Sequence, residues 1–440
     1  MDIPQPSSPD AVDCDVIVIG GGPAGSTAAS WLARAGRRVV LLERDRFPRF
    51  HIGESLLASV NDVLAAVGAD TLVREAGFPQ KWGATFMTAD GGTQRYADFS
   101  IAPGVPSPQT WQVPRATFDD LLLRHASRSG ADVREQHRVV DIAVDNAGVT
   151  ATVQRVEGGA TRFQMHAQAV IDASGRGAVL ARKFDLRVDE PRLANVAVFS
   201  HYSGVPRQAG RRSGDIRIVA RHDMGWFWLI PISNELMSVG VVLPRDAAGA
   251  FLGLPAEAWL ERAIAETPAV RGLLAAARRE WPVRVEKDFS FASRAYAGTR
   301  WLLAGDAGSF LDPVFSTGVT IALESGLEAA QAVDRCLATN DWSGQLLQRF
   351  ARRQRSRYES FRRFVLGFYT PEFRDLFFAK DPPGWVFRSV VTIFAGYWQP
   401  SVRTRASVAL FFLLVKLQRH LKFVPPHVSR DTEESIKVGS

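Results

Sequence analysis

An α/β fold is predicted, with a nucleotide-binding unit, a second lobe built on an antiparallel sheet, and a helical C-terminal region. Three observations predict it. A β-branched run, Asp15-Val-Ile-Val-Ile19, enters a glycine turn, Gly20-Gly-Gly-Pro-Ala-Gly25, and a second apolar run follows at Arg38-Val-Val-Leu-Leu42. In Trp226-Phe-Trp-Leu-Ile-Pro231 the two indoles lie two residues apart, so in a strand they share one face. Arginine-rich and aromatic segments at helical spacing, broken by prolines, occupy the last quarter of the chain.

Taken in order, the first run reads as a buried parallel strand, the glycine turn opens a helix, Gly36 caps it, and the second run is the neighbouring strand. This strand–turn–helix–strand order suits a pyrophosphate, because glycines let the backbone come close and the helix N-terminus offers N–H groups. Gly20, Gly22, Ala24 and Gly25 are the candidate turn contacts. Glu43 lies where a carboxylate accepts from ribose hydroxyls, with Arg44 beside it. The unit is therefore Rossmann-type. A second GxGxxG is missing, so a second unit for a nicotinamide cofactor is not expected.

Composition narrows the function classes. A chain of 440 residues calls for two joined lobes. A formal charge of +7 suits an anionic membrane, an acidic protein or nucleic acid, but the absence of any nucleic-acid module argues against the last. Two cysteines, Cys14 and Cys336, make no disulfide framework, and the eight histidines show no ligand spacing, so no metal is expected. Residues 1–13 are polar and proline-rich without a signal pattern, which reads as a mobile lead-in to a cytoplasmic protein. The apolar run from Val408 to Val415 falls far short of the roughly 20 residues that span a bilayer. A transmembrane helix is not expected. The tail 431–440 is polar and reads as mobile.

Four further segments stand in an order that resembles the flavin monooxygenase (GR2-like) superfamily. They are Gln112-Val-Pro-Arg115, Val170-Ile-Asp172-Ala-Ser-Gly175, Gly305-Asp306 after the run Arg300 to Ala304, and Asp312-Pro313. The resemblance implies FAD, with Arg115, Asp172, Gly305, Asp306 and Pro313 among its contacts. It also implies a division of the chain into an FAD-binding domain (14–80, 110–180, 290–345), a sheet lobe (81–109, 181–289) and a C-terminal helical region (346–430).

Within that superfamily, Gly53-Glu-Ser-Leu-Leu57 is similar to a segment shared by halogenases and geranylgeranyl-reductase-like proteins. The chain resembles the flavin-dependent halogenases at three more places. These are the WxWxIP wall of Trp226, Trp228, Ile230 and Pro231, the segment Phe78-Pro-Gln-Lys81-Trp-Gly83, and the loop Phe310 to Val319. The resemblance implies FAD used as FADH2 from a separate flavin reductase, and chloride or bromide held by the amides of Thr317 and Gly318. It further implies a catalytic Lys81 that binds hypohalous acid. Tryptophan halogenases carry glutamate where this chain has Phe315, which points to the branch acting on phenols, pyrroles or aryl groups. The expected partner is an acyl carrier protein bearing the substrate, or a large hydrophobic small molecule, with peripheral membrane contact by the C-terminal helices as a further reading. Two alternatives stand beside this one: a hydroxylase or double-bond reductase of the same fold, and a non-catalytic flavoprotein binding a carrier protein or lipid.

Overall fold

The computed structural model describes residues 13–157, 161–380 and 383–426. The expectations for 1–12 and for 431–440 lie outside these residues.

Strand Cys14–Ile19 lies between Arg162–Asp172 and Val39–Leu42, parallel to both. Asp132–Arg134 continues the sheet in parallel beyond Val39–Leu42, and Trp301–Leu303 runs parallel on the other side of Arg162–Asp172. Both faces of this sheet are covered, as its unbroken apolar runs require. Val16, Val18, Val39 and Leu41 pack with helix Pro23–Arg34 and helix Thr317–Thr339. Ile17, Ile19, Val40 and Leu42 face the other way, onto Val139, Ile142 and Val153 of the hairpin His137–Val144 and Val149–Arg155. This is the predicted Rossmann-type unit.

A second sheet is assembled in the order Ser309–Phe310, Arg284–Ser293, Arg187–Ser203, Leu236–Pro244, Trp226–Pro231, Ile216–Ala220, Gly83–Thr88, Gln94–Asp98. It is antiparallel except at one place, where Ile216–Ala220 and Gly83–Thr88 run parallel. These two strands are joined through the first-sheet strands from Asp132–Arg134 to Arg162–Asp172 rather than by a hairpin, so no local turn dictates their direction. The predicted alternation in Trp226–Pro231 is observed. Trp226, Trp228 and Ile230 enter one core with Phe364, Phe368 and Phe394 of the C-terminal helices, while Phe227 and Leu229 enter another with Leu260 and Val270.

The expected segment limits do not coincide with element limits. The 80/81 limit divides the two-residue strand Gln80–Lys81, which pairs with Thr110–Trp111. The 180/181 limit falls in helix Val179–Lys183, and the 289/290 limit in strand Arg284–Ser293. Ser309–Phe310 joins the second sheet although its segment was assigned to the first. The reason is physical. Long strands are held by pairing along their length, and a hydrogen-bonded ladder ignores where composition changes.

The C-terminal region is helical, as the prolines suggested: Gln345–Phe368, Pro371–Phe378, Gly384–Phe394 and Val402–Leu421. Pro371 occupies a first-turn position, where its missing N–H costs nothing. Among the described residues no helix is long and apolar enough to cross a membrane.

Candidate active site at the junction of the two sheets

One cavity of about 390 Å³ runs from the glycine turn to the tryptophan strand. Gly20, Gly22, Ala24, Glu43, Arg44, Arg115, Asp306, Pro313 and Gly318 line it from one side; Trp226, Trp228 and Ile230 line it from the other.

The first end fits a dinucleotide. Gly20 has φ +101°, and a Cβ there would overlap the Ala173 carbonyl, so only glycine permits the turn. Helix Pro23–Arg34 starts at Gly22 with no side-chain cap and no acidic residue in its first turn, so its leading N–H groups are open to an anion. Gly25 lies inside that first turn, off the cavity wall, tight against the Gly20 carbonyl. Glu43 is buried, and its carboxylate accepts from Gly21 N at 2.6 Å and from Asp45 N at 2.8 Å. It thus fixes the turn while keeping lone pairs for ribose hydroxyls. Arg115 is clamped by Asp119 at 2.7 and 2.9 Å and donates to Ile52 O at 2.8 Å, which fixes its guanidinium at the wall. Asp306 also stands on the wall, and burial pushes its carboxyl up to about 6.

Asp172 departs from its expected place. It is fully buried and off the wall, with its oxygens accepting from Ser174 N at 3.0 Å and Leu180 N at 2.7 Å. It holds the turn whose Ala173, Ser174 and Gly175 line the cavity. The carboxylate at this strand end is taken up by free amides around it, Ser174 of its own turn and Leu180 in the first turn of helix Val179–Lys183.

At the far end, Trp226 and Trp228 are 1% and 4% exposed, with ring centroids 5.9 Å apart. Gly240 lies opposite Trp228, and a Cβ there would overlap the indole. Pro231 ends the strand, buried but off the wall. The loop before helix Thr317–Thr339 turns at Ser316 with φ +58°. The helix has no side-chain cap and no acidic residue in its first turn, and Gly318 opens onto the cavity while Thr317 is buried.

Lys81 is completely buried and stands behind the wall. Its Nζ donates to Ser55 Oγ and to Leu56 O, both at 2.8 Å, and lies 5.4 Å from the Phe99 ring centroid. Burial brings its ammonium down to about 7, opposed by the charge of Asp215. Ser55 itself lines the cavity.

Sequence reasoning missed the residues that tie these parts together. Trp226 Nε1 donates to Tyr369 Oη at 2.8 Å, and Tyr369 donates to Asp312 Oδ2 at 2.7 Å. The same oxygen accepts from Asn195 at 2.7 Å, while Oδ1 caps the loop at Val314 N at 3.0 Å. The tryptophan wall, the loop and the C-terminal helices therefore share one buried network. The available signal was a tyrosine among phenylalanines, since a buried hydroxyl needs a partner. Glu54 and His201 form a second unpredicted pair, 3.2 Å apart and nearly inaccessible.

Comparison with known proteins places this geometry. The FAD binding domain family matches residues 13–354. A flavin-dependent halogenase of Armillaria mellea is 34% identical over 374 residues, covering 81% of this chain and 74% of the relative. The 1H-pyrrole-2-carbonyl-[peptidyl-carrier protein] chlorinase of Pseudomonas fluorescens is 31% identical over 391 residues, covering 84% and 86%. Among solved structures, the myxobacterial chondrochloren halogenase is 35% identical with a TM-score of 0.75, covering 92% of this chain and 97% of that one. With a Rossmann-type cradle at one end of the cavity and an indole wall at the other, the chain belongs to the flavin-dependent halogenases, enzymes that work with FAD.

Proposed function

We propose that the chain halogenates an electron-rich aryl, pyrrole or phenol group carried by an acyl or peptidyl carrier protein, with Lys81 as the residue that binds the halogenating species. The carrier reading draws on the chlorinase of Pseudomonas fluorescens, whose name gives a carrier-bound pyrrole as its substrate. The single observation that carries the assignment of Lys81 is its burial directly behind the cavity-lining Ser55, with two oxygen acceptors and, among the described residues, no carboxylate bonded to it.

Bound FAD, reduced by a separate flavin reductase, supplies with O2 the oxidising power that turns halide into hypohalous acid. The protein's part is positional. The amides of Thr317 and Gly318, at the uncapped start of helix Thr317–Thr339, hold the halide, as a helix N-terminus holds any small anion. Trp226 and Trp228 keep the organic substrate away from the flavin. Lys81, aligned by Ser55, donates a hydrogen bond to hypohalous acid and orients it toward the substrate carbon. The proton released when that carbon is substituted leaves with the oxygen of the acid as water.

The test is product analysis by mass spectrometry with FADH2, O2 and chloride or bromide. Lys81→Ala should retain FAD and flavin oxidation while halogenated product falls by at least about 100-fold, the scale of losing a charge-assisted contact in a dry site. Unchanged halogenation in that variant would remove Lys81 from the mechanism.

The Phe315 ring stacks on Phe394 with centroids 4.4 Å apart and planes 18° apart. A glutamate in that aromatic layer would be buried without a partner. This supports the expectation that free tryptophan is a poor substrate.

A further inference from the structure

We propose that the outward face of the last helix, Val402–Leu421, docks the protein on an anionic lipid surface. Val402, Ala406, Ala409, Leu413, Leu417 and Leu421 follow one another at steps of three or four residues, and all six are exposed. Such steps place them on one stripe, and a helix of 20 residues extends it over roughly 30 Å. The large ones are well exposed: Val402 72%, Leu413 51%, Leu417 37% and Leu421 67%. The opposite side of the helix is already occupied. Phe411 packs on Phe373 at 5.2 Å, and Gln418 bonds to Asp375 and to the Val424 backbone. The helix therefore has two apolar sides, and the described residues cover only one. Exposed stripes of this size mark interaction surfaces rather than ordinary solvated helix.

Charge selects the occupant. The sequence carries no aspartate or glutamate from Pro382 to Arg430, whereas Arg403, Arg405 and Lys416 border the stripe and are exposed; Arg419 is answered by Glu372 of the neighbouring helix at 3.5 Å, and Lys422 follows at the helix end. Two copies of the chain meeting at this face would bring two basic rows together. An acidic protein would answer the charge and leave a long apolar seam to be matched. A membrane surface answers both, because leucines enter the boundary of the acyl chains while lysine and arginine reach lipid phosphates. Phe423, 48% exposed just past the helix end, and Trp385, 50% exposed on the neighbouring helix, add aromatic side chains of the kind that settle at such boundaries. Among the described residues no helix can span a bilayer, so the contact is one of lying on the surface. The same helix packs on Pro371–Phe378, which places the docking face one layer from Tyr369 and the tryptophan wall.

The experiment is co-sedimentation of the full FAD-loaded chain with vesicles of phosphatidylcholine and phosphatidylglycerol in equal parts, compared with pure phosphatidylcholine. Two variants accompany it, Leu413→Glu with Leu417→Glu, and Arg405→Gln with Lys416→Gln. All four positions are exposed, and retained FAD absorbance reports that each variant folds. Binding to the mixed vesicles is expected, at least about tenfold weaker on pure phosphatidylcholine and in either variant. The proposal is overturned by no binding to mixed vesicles, or by binding that neither variant weakens. It is also overturned by a solution dimer that the leucine variant dissociates, or by loss of turnover on a carrier-bound substrate in that variant without any vesicle binding.

Discussion

Lys81 carries its charge at a cost that pH can reveal. Its ammonium is brought from 10.5 down to about 7 by burial, so the folded protein loses that proton long before the unfolded chain does. The sign follows: between about pH 7 and pH 10.5 the unfolded state binds more protons, and stability rises with pH through that window, while below about 7 the penalty of the buried charge is present in full. Lys81→Met should therefore raise the melting temperature more at about pH 6 than at about pH 9. An equal change at both would show that the folded and unfolded chains hold the same proton across that range, so that burial does not lower the Lys81 ammonium. Donation needs the proton, so halogenated product per flavin oxidised should fall as pH rises through about 7, and a rise through that pH would assign Lys81 an attacking rather than a donating part. Ser55→Ala should lower the product yield about tenfold without loss of FAD, the size of one hydrogen bond to a charged group. At this scale the sequence singled out Lys81, the proposed donor, through its neighbours Phe78, Pro79 and Gly83. It was silent on Ser55 and Asp215, because those contacts join residues 26 and 134 positions away in the chain.

The C-terminal helices act on the site through a few buried polar contacts. Arg374, 1% exposed, donates to Phe368 O at 2.8 Å, Arg221 O at 2.7 Å and Met224 O at 2.8 Å, which fastens helix Pro371–Phe378 to the turn before the tryptophan strand. No single residue replaces three such bonds. Arg374→Met should destabilise the protein by about 2–4 kcal/mol in denaturant unfolding, since the carbonyls are left buried and unpaired. Tyr369→Phe removes the hydroxyl shared by Trp226 and Asp312 and should preserve the fold but divert flavin turnover from halogenation to hydrogen peroxide release. A coupling ratio equal to the parent's would show that the network is structural only. Helix limits were legible because Pro371 and Pro400 punctuate them and the apolar spacing between is helical. The seating of Phe368 and Phe394 against Phe315 was not legible, since any aromatic helix face can bury itself on several partners.

Across the whole molecule, the formal charge of +7 favours an acidic carrier, and exposed charges are screened beyond about 10 Å at 0.1 M salt. Turnover of a carrier-linked substrate should accordingly fall with rising ionic strength, mainly through kcat/KM. Turnover that ignores salt would argue for a free small molecule. Rapid NADH consumption by the pure protein would contradict the need for a separate reductase, which rests on the single dinucleotide fingerprint in the sequence. The glycine turn and its two strands were readable because they are consecutive; the parallel pairing of Ile216–Ala220 with Gly83–Thr88 was not, because 127 residues separate Thr88 from Ile216 in the interlaced chain.

That interlacing sets a schedule for synthesis. Strand Cys14–Ile19 leaves the ribosome first, yet one of its edges is paired only after Asp172 has emerged, and the sheet gains its last strands only near Leu303. At about 5–20 residues per second the nascent chain waits roughly 15–60 s with open strand edges. The second sheet waits alongside it, because Gly83–Thr88 must find Ile216–Ala220. Neither lobe is one continuous stretch of the chain, and until the late strands arrive the open edges are the places where neighbouring copies can pair.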